Sequence, residues 1–87
     1  MVVSIEVKAI EEGLARELVH ARLSTLARRA GLSAREHDVF ELLVLGRSLG
    51  EIGTVLSISE RTVRFHQGNL LGKLGADSRI DLLRLLL

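Results

Sequence analysis

Three serines, each placed just ahead of a helical pattern, constrain the fold of this chain more than any other feature. Ser33 is followed three positions later by Glu36, and Ser48 is followed at the same spacing by Glu51. In such a capping box the serine hydroxyl accepts a hydrogen bond from the glutamate N–H, and the glutamate carboxylate accepts one from the serine N–H. Ser59 can cap a third helix through its own hydroxyl. A helix is therefore predicted to begin directly after each serine.

The lengths of these helices follow from apolar spacing and from glycine, which readily adopts the left-handed conformation that ends a helix. Gly46 is predicted to end the first helix and Gly75 the third. These two helices then span about residues 34–45 and 60–74, and a helix barely two turns long follows Ser48. The predicted apolar positions are Val39, Phe40, Leu42 and Leu43 in the first helix, Ile52, Val55 and Leu56 in the second, and Val63, Leu70 and Leu74 in the third.

Both ends of the chain also contain helical patterns. Asp77 or Ser78 can cap a last helix that is apolar nearly all round, with Ile80, Leu82, Leu83, Leu85, Leu86 and Leu87. Residues 14–30 are predicted to be helical because their apolar side chains share one face. Residues 3–8 alternate like a strand, yet no second strand is available, so they either continue the helix or are loosely ordered. A junction near residues 29–31 divides the chain into an N-terminal linker helix (1–31) and a domain (32–87).

Composition supports an all-α fold and excludes several functions. Proline, cysteine, tryptophan and tyrosine are absent, so no disulfide or thiolate metal site is available and a reducing cytoplasm is expected. No apolar run reaches the roughly 18 residues of a membrane span, so we expect no membrane association. His20, His37 and His66 are scattered, and no nucleophile has a base at a useful spacing. We therefore expect no metal, no cofactor, no small-molecule substrate and no catalysis.

A short helix, a tight turn and a longer helix form a helix-turn-helix, in which the longer helix enters the major groove of DNA. The sequence itself closely resembles the LuxR/FixJ (GerE-type) effector domain, without gaps from Leu32 to about Leu83. The resemblance is carried by the segments at residues 32–36 (LSARE), 46–53 (GRSLGEIG), 58–66 (ISERTVRFH) and 73–79 (KLGADSR).

This resemblance implies a four-helix, helix-turn-helix domain of a transcription regulator, with residues 60–74 as the recognition helix. It also implies binding to double-stranded DNA as a homodimer on a palindromic site, with the last helix at the dimer contact, and it makes RNA polymerase a candidate partner. A sensory module commonly precedes such a domain. Residues 1–31 resemble either a linker helix from that architecture or an extension of a stand-alone regulator.

The predicted DNA-binding residues lie on or beside the recognition helix. Helical spacing places one set on the face opposite the core stripe, namely Arg61, Arg64, Phe65, Gly68 and Gly72. Arg64 is predicted to contact a guanine edge, and its position matches the groove-facing basic residue of the resembled family. Thr62, Arg61 and Lys73 are predicted phosphate contacts. Phe65 either meets a thymine methyl group or is partly buried.

Departures from the family pattern leave alternatives open. Relatives often have a basic or polar side chain at the position of Gly68, alanine at Gly53 and a polar or basic residue at Gly50. Glycine at position 68 either lets the backbone approach the groove closely or is a tolerated substitution in a domain of modest specificity.

A second function is compatible with these glycines and with a net charge of only +1, because nucleic-acid binders usually carry a marked basic excess. The domain would then be a protein-interaction or dimerisation module with weak or no specific DNA binding.

The last prediction concerns assembly. A small domain buries only one face of a terminal helix, so Leu82, Leu83 and Leu86 are predicted to meet a second copy. In the alternative, residues 14–30 fold back over these leucines within one chain.

Overall fold

The computed structural model describes residues 2–86, with side chains for residue 13 and residues 16–86. The fold is all-α, as predicted, and the described residues contain no strand. Its helices are α1 (Val2–Ala30), α2 (Ala34–Val44), α3 (Leu49–Leu56), α4 (Glu60–Leu74) and α5 (Arg79–Leu85). Residues 3–8 continue α1 rather than forming a separate element. Within the described range, no helix is long and apolar enough to cross a membrane.

The predicted serine caps are confirmed at the starts of α2, α3 and α4. The Ser33 hydroxyl accepts from the Glu36 N–H at 3.1 Å, and Glu36 Oε1 accepts from the Ser33 N–H at 2.8 Å. Ser48 and Glu51 form the equivalent pair, at 3.1 Å in both directions. The Ser59 hydroxyl caps α4. Because each cap joins residues only three apart, it forms wherever the local sequence allows it.

A residue in the left-handed backbone conformation follows each of α2, α3 and α4. Gly46 follows α2 with φ of 85°, and Gly75 ends α4 with φ of 68°. Ser57 adopts the same region after α3, with φ of 58°, which is uncommon for a residue with a Cβ atom. Ser78 caps α5, which decides between the two predicted caps.

The core lies along one side of α4, where this helix packs mainly against α2 and α3. The most completely buried side chains are Val39, Phe40, Leu43, Ile52, Val63, Leu70 and Leu82. The prediction that Val55 faces the core is wrong, because 59% of its surface is exposed. Gly53 takes the buried position beside Ile52 instead.

Gly53 brings α3 close to the turn that precedes α4. A Cβ atom on this glycine would lie 2.7 Å from the Ile58 carbonyl oxygen. Such a distance is shorter than van der Waals contact, so any side chain here would push the turn away from α3. The absence of a side chain at position 53 thus helps to set how the two helices of the helix-turn-helix cross.

The predicted dimer leucines divide between the core and the surface. Leu82 is fully buried and Leu86 is only 8% exposed, so the prediction that they meet a second copy is wrong. Both belong to the core cluster of the domain, and α5 packs mainly against α2. The alternative that residues 14–30 fold back over these leucines stays a prediction. Leu83, in contrast, is 41% exposed.

Candidate nucleic-acid interface

Helix α4 has a buried face and an open face. Val63 and Leu70 have no exposed surface, which anchors the helix against α2 and α3. The other face is exposed at the predicted groove-facing positions, namely Arg61, Arg64, Phe65, Gly68 and Gly72. The domain therefore presents most of one side of a four-turn helix to solvent.

The first turn of α4 is held by two hydroxyl groups. The Ser59 hydroxyl accepts from the Thr62 N–H at 3.1 Å and lies 2.8 Å from the Thr62 hydroxyl. Thr62 is half-buried, so it remains partly accessible at the positive end of the helix dipole. This location suits a phosphate contact, which stays a prediction.

Two arginines project from the first two turns of α4 and differ in their surroundings. Arg64 Nη2 lies 3.1 Å from Glu60 Oε1, one helical turn earlier, and both side chains are more than half exposed. Arg61 has no ion-pair partner among the described residues and is exposed. Glu60 is the residue that our sequence reasoning missed, although a glutamate four residues before an arginine is a recognisable helical pair.

Phe65 lies on the open face and not in the core. Its side chain is 66% exposed, which excludes the interpretation that it is partly buried. Its ring meets the His66 ring edge to face, with centroids 5.7 Å apart. An exposed aromatic ring beside two arginines is available to an apolar group such as a thymine methyl.

The glycines on the open face make no close contact within the domain. A Cβ atom on Gly68 or Gly72 would have no neighbour within 4 Å. Packing within this chain therefore does not require glycine at either position, unlike Gly53. The two explanations for Gly68, close approach to the groove and a tolerated substitution, therefore differ only in how a partner outside the domain approaches the helix.

Lys73 lies at the other end of α4 and points to α2. Its Nζ donates to Glu36 Oε1 at 2.7 Å and to the Gly31 carbonyl oxygen at 3.4 Å. This cation is thus paired with a carboxylate inside the domain, while its side chain remains 41% exposed. Its contact with a DNA phosphate stays a prediction.

Glu36 combines two functions that the sequence pattern alone did not connect. It completes the cap of α2 and pairs with Lys73, while its residue surface is only 3% exposed. The hydrogen bond from Lys73, together with that from the Ser33 N–H, holds the pKa of Glu36 below its usual value. The pair joins the end of α4 to the start of α2.

Hydrogen bonds from a side chain of α5 stabilise the turn before α3. Arg79 Nε and Nη2 donate to the Leu43 carbonyl oxygen at 3.1 and 2.7 Å, and Nη2 also donates to the Arg47 carbonyl oxygen. Arg47 in turn lies 3.4 Å from Glu51 Oε2. The hydrogen bonds from Ser48 hold the pKa of Glu51 below its usual value, with a smaller contribution from Arg47. These contacts tie the start of α5 to the turn between α2 and α3.

No group of three or more histidine, cysteine or carboxylate side chains among the described residues could hold a metal ion. The candidate site is an open, partly basic helix face.

Comparison with known proteins identifies the family. Residues 30–86 match the model of the luxR family of bacterial regulatory proteins. The chain belongs to this family. Over 58 residues it is 47% identical to the spore germination protein GerE of Bacillus subtilis. The matched region covers 62% of this chain and 78% of GerE. The match confirms the resemblance found in the sequence.

Other relatives are longer proteins. The transcriptional activator protein SolR of Ralstonia nicotianae is 47% identical over 60% of this chain, which spans 22% of SolR. The transcriptional regulatory protein UhpA of Escherichia coli is 39% identical over 66% of this chain and 29% of its own length. No solved structure matches the chain significantly. This luxR-family domain is a DNA-binding helix-turn-helix of a transcription regulator.

Proposed function

We propose that this luxR-family domain reads a specific DNA sequence in the major groove with the open face of α4. The observation that carries the proposal is the division of this helix into two faces. Val63 and Leu70 are fully buried, whereas Arg61, Arg64 and Phe65 project from the first two turns. A helix held in this way can insert its exposed N-terminal half into a groove while its buried face keeps it rigid.

Four side chains of this face have a proposed contact that suits their chemistry. The Arg64 guanidinium forms two parallel hydrogen bonds to the O6 and N7 atoms of a guanine. Arg61 and Thr62 bind backbone phosphates, and Phe65 contacts a thymine methyl group. Gly68 in the middle of this face and Gly72 near its end have no side chains. The proposed base contacts are therefore concentrated near the start of α4.

Replacement of Arg64 tests this proposal. Arg64→Ala should weaken binding to the selected site by about 1–3 kcal/mol and relax the preference at one base position. The site is first selected from a randomised duplex pool, and affinities are then measured by fluorescence anisotropy at fixed salt. Arg35→Ala is the matched control, because Arg35 is an exposed, ion-paired arginine on α2 and not on α4.

The outcomes separate the two functions considered for the sequence. An equal loss on every duplex would make Arg64 a phosphate contact, and no loss would remove it from the interface. If the pool yields no selected site for the parent chain, the interaction-module function is favoured and our proposal is wrong.

We also propose that the domain binds a palindromic site as a homodimer through the exposed side of α5. Ile80 is 62% exposed and Leu83 is 41% exposed, and a spacing of three residues places them side by side. A two-fold contact there would set two recognition helices one DNA turn apart, about 34–36 Å. Leu82 and Leu86 belong to the core and take no part in this contact.

Sedimentation measures this assembly directly. Leu83→Glu should shift a dimeric parent toward monomer, whereas Leu18→Glu should not, although Leu18 of α1 is 71% exposed. A parent that is monomeric at high concentration on and off DNA would contradict the proposal. So would a Leu83→Glu variant that dimerises as well as the parent.

The names of the relatives suggest further partners. SolR is a transcriptional activator protein, and by analogy we propose RNA polymerase as a partner and the cytoplasm as the location. We also propose that the domain acts by binding alone, without catalytic activity.

A further inference from the structure

Glu60 is an acidic residue within the proposed DNA-binding face. It occupies the first turn of α4, where its Oε1 lies 3.1 Å from Arg64 Nη2. Its side chain is 52% exposed, and it belongs to the same first two turns of α4 as the side chains proposed to contact DNA. The contacts proposed above for Arg61, Thr62 and Phe65 leave this carboxylate without a function.

The carboxylate also lies beside the start of α3. Its Oε2 is 3.9 Å from the position that a Cβ atom on Gly50 would take, in the first turn of that helix. Glu60 therefore lies between Arg64 and the first turn of α3. A DNA phosphate that approached Arg64 from this side would come close to a negative charge.

We propose that Glu60 is a specificity-determining residue that restrains Arg64 and disfavours its binding to phosphates. A guanine edge is uncharged and offers the guanidinium two hydrogen bonds, which offset the loss of the Glu60 pair. A phosphate offers a similar bond but places a second anion beside the carboxylate. Glu60 thereby lowers non-specific affinity more than specific affinity. This inference rests on the proposed guanine contact of Arg64.

Glu60→Gln tests the inference because glutamine keeps the size of glutamate and one acceptor oxygen while removing the negative charge. Exposed ion pairs of this kind contribute at most about 1 kcal/mol, which corresponds to a change in affinity of roughly two- to fivefold. We expect the variant to bind a non-cognate duplex about two- to fivefold more tightly at low salt. Its affinity for the selected site should change less, so the ratio of the two affinities should fall.

Salt dependence provides a second measurement. The gain on the non-cognate duplex should shrink as salt rises, because exposed charges are screened within about 10 Å at 0.1 M salt. Asp38→Asn is the matched control, since it removes the same charge from an arginine-paired carboxylate on α2. If Asp38→Asn gains as much affinity for the non-cognate duplex as Glu60→Gln does, the effect comes from net charge and the inference is wrong.

A double variant distinguishes this inference from the proposed function. If Arg64 is the restrained group, Glu60→Gln should change the affinity ratio much less in the Arg64→Ala background than in the parent. If Arg64→Ala reduces specific affinity as expected but Glu60→Gln leaves the ratio unchanged, only the inference fails. If Arg64→Ala has no effect on specific binding, the proposed guanine contact and the inference both fail.

Discussion

Replacement of Glu36 would measure how strongly the end of the recognition helix is tied to the rest of the domain. Glu36 accepts one hydrogen bond from the Ser33 N–H at 2.8 Å and one from Lys73 Nζ at 2.7 Å. Alanine removes both, whereas glutamine can preserve the cap and removes the charge. The two variants therefore separate the capping contribution from the ion pair.

The magnitude follows from these two contacts. Loss of a helix cap costs about 1 kcal/mol, and loss of a charged hydrogen bond costs about 1.5–3 kcal/mol. Because the Lys73 side chain is 41% exposed, solvent screening places the second value at the lower end. Glu36→Ala should therefore lower the free energy of unfolding by about 2–3 kcal/mol, and Glu36→Gln by about 1–2 kcal/mol. For a domain of this size each kcal/mol corresponds to roughly 4–8 °C in Tm.

The pH dependence gives an independent check. The pKa of Glu36 is lowered in the folded chain from a reference value of 4.5, so its contribution is fully present above pH 4.5. That contribution is lost as the pH falls from 4.5 through the folded-state pKa. The difference in stability between the parent and Glu36→Gln should thus be constant near neutral pH and shrink in acid.

Urea denaturation followed by circular dichroism measures both effects. Glu51→Gln is the matched control, because Glu51 completes the same type of cap but pairs with an arginine, Arg47, at 3.4 Å, with both side chains more than half exposed. It should lose less stability than Glu36→Gln. A Glu36→Gln variant as stable as the parent at pH 7, or a difference that does not shrink in acid, would refute the assigned contribution of the ion pair.

Three glycine substitutions test the helix-turn-helix geometry. Gly72→Ala should raise the free energy of unfolding by about 0.5–1 kcal/mol in urea denaturation, because alanine favours a helix and meets no neighbour here. Gly53→Ala should instead lower it by about 1 kcal/mol, through the clash with the Ile58 carbonyl; equal stabilisation by both would contradict the close approach. Gly68→Arg should keep the fold and increase DNA affinity in the anisotropy assay, whereas weaker binding would indicate that the backbone approaches the groove closely.

Much of this fold could be predicted from the sequence because its signals are local. The serine caps and the ends of α2 and α4 depend on residues within a few positions of one another, so they were identified without any knowledge of packing. The open face of α4 also followed from helical spacing, whereas the choice between an exposed and a partly buried Phe65 needed the structure, in which the residue is 66% exposed. Even the Glu60–Arg64 pair was available in this way, as a spacing of four residues.

The tertiary structure decided the properties that depend on residues distant in the chain. Lys73 binds Glu36, 37 positions away, and no local pattern distinguishes such a lysine from one that is free to bind DNA. Leu82 is buried and Leu83 exposed because the other helices cover only one side of α5. Sequence alone showed that α5 is apolar, but burial depends on which neighbours surround each side chain, and those neighbours are set by packing.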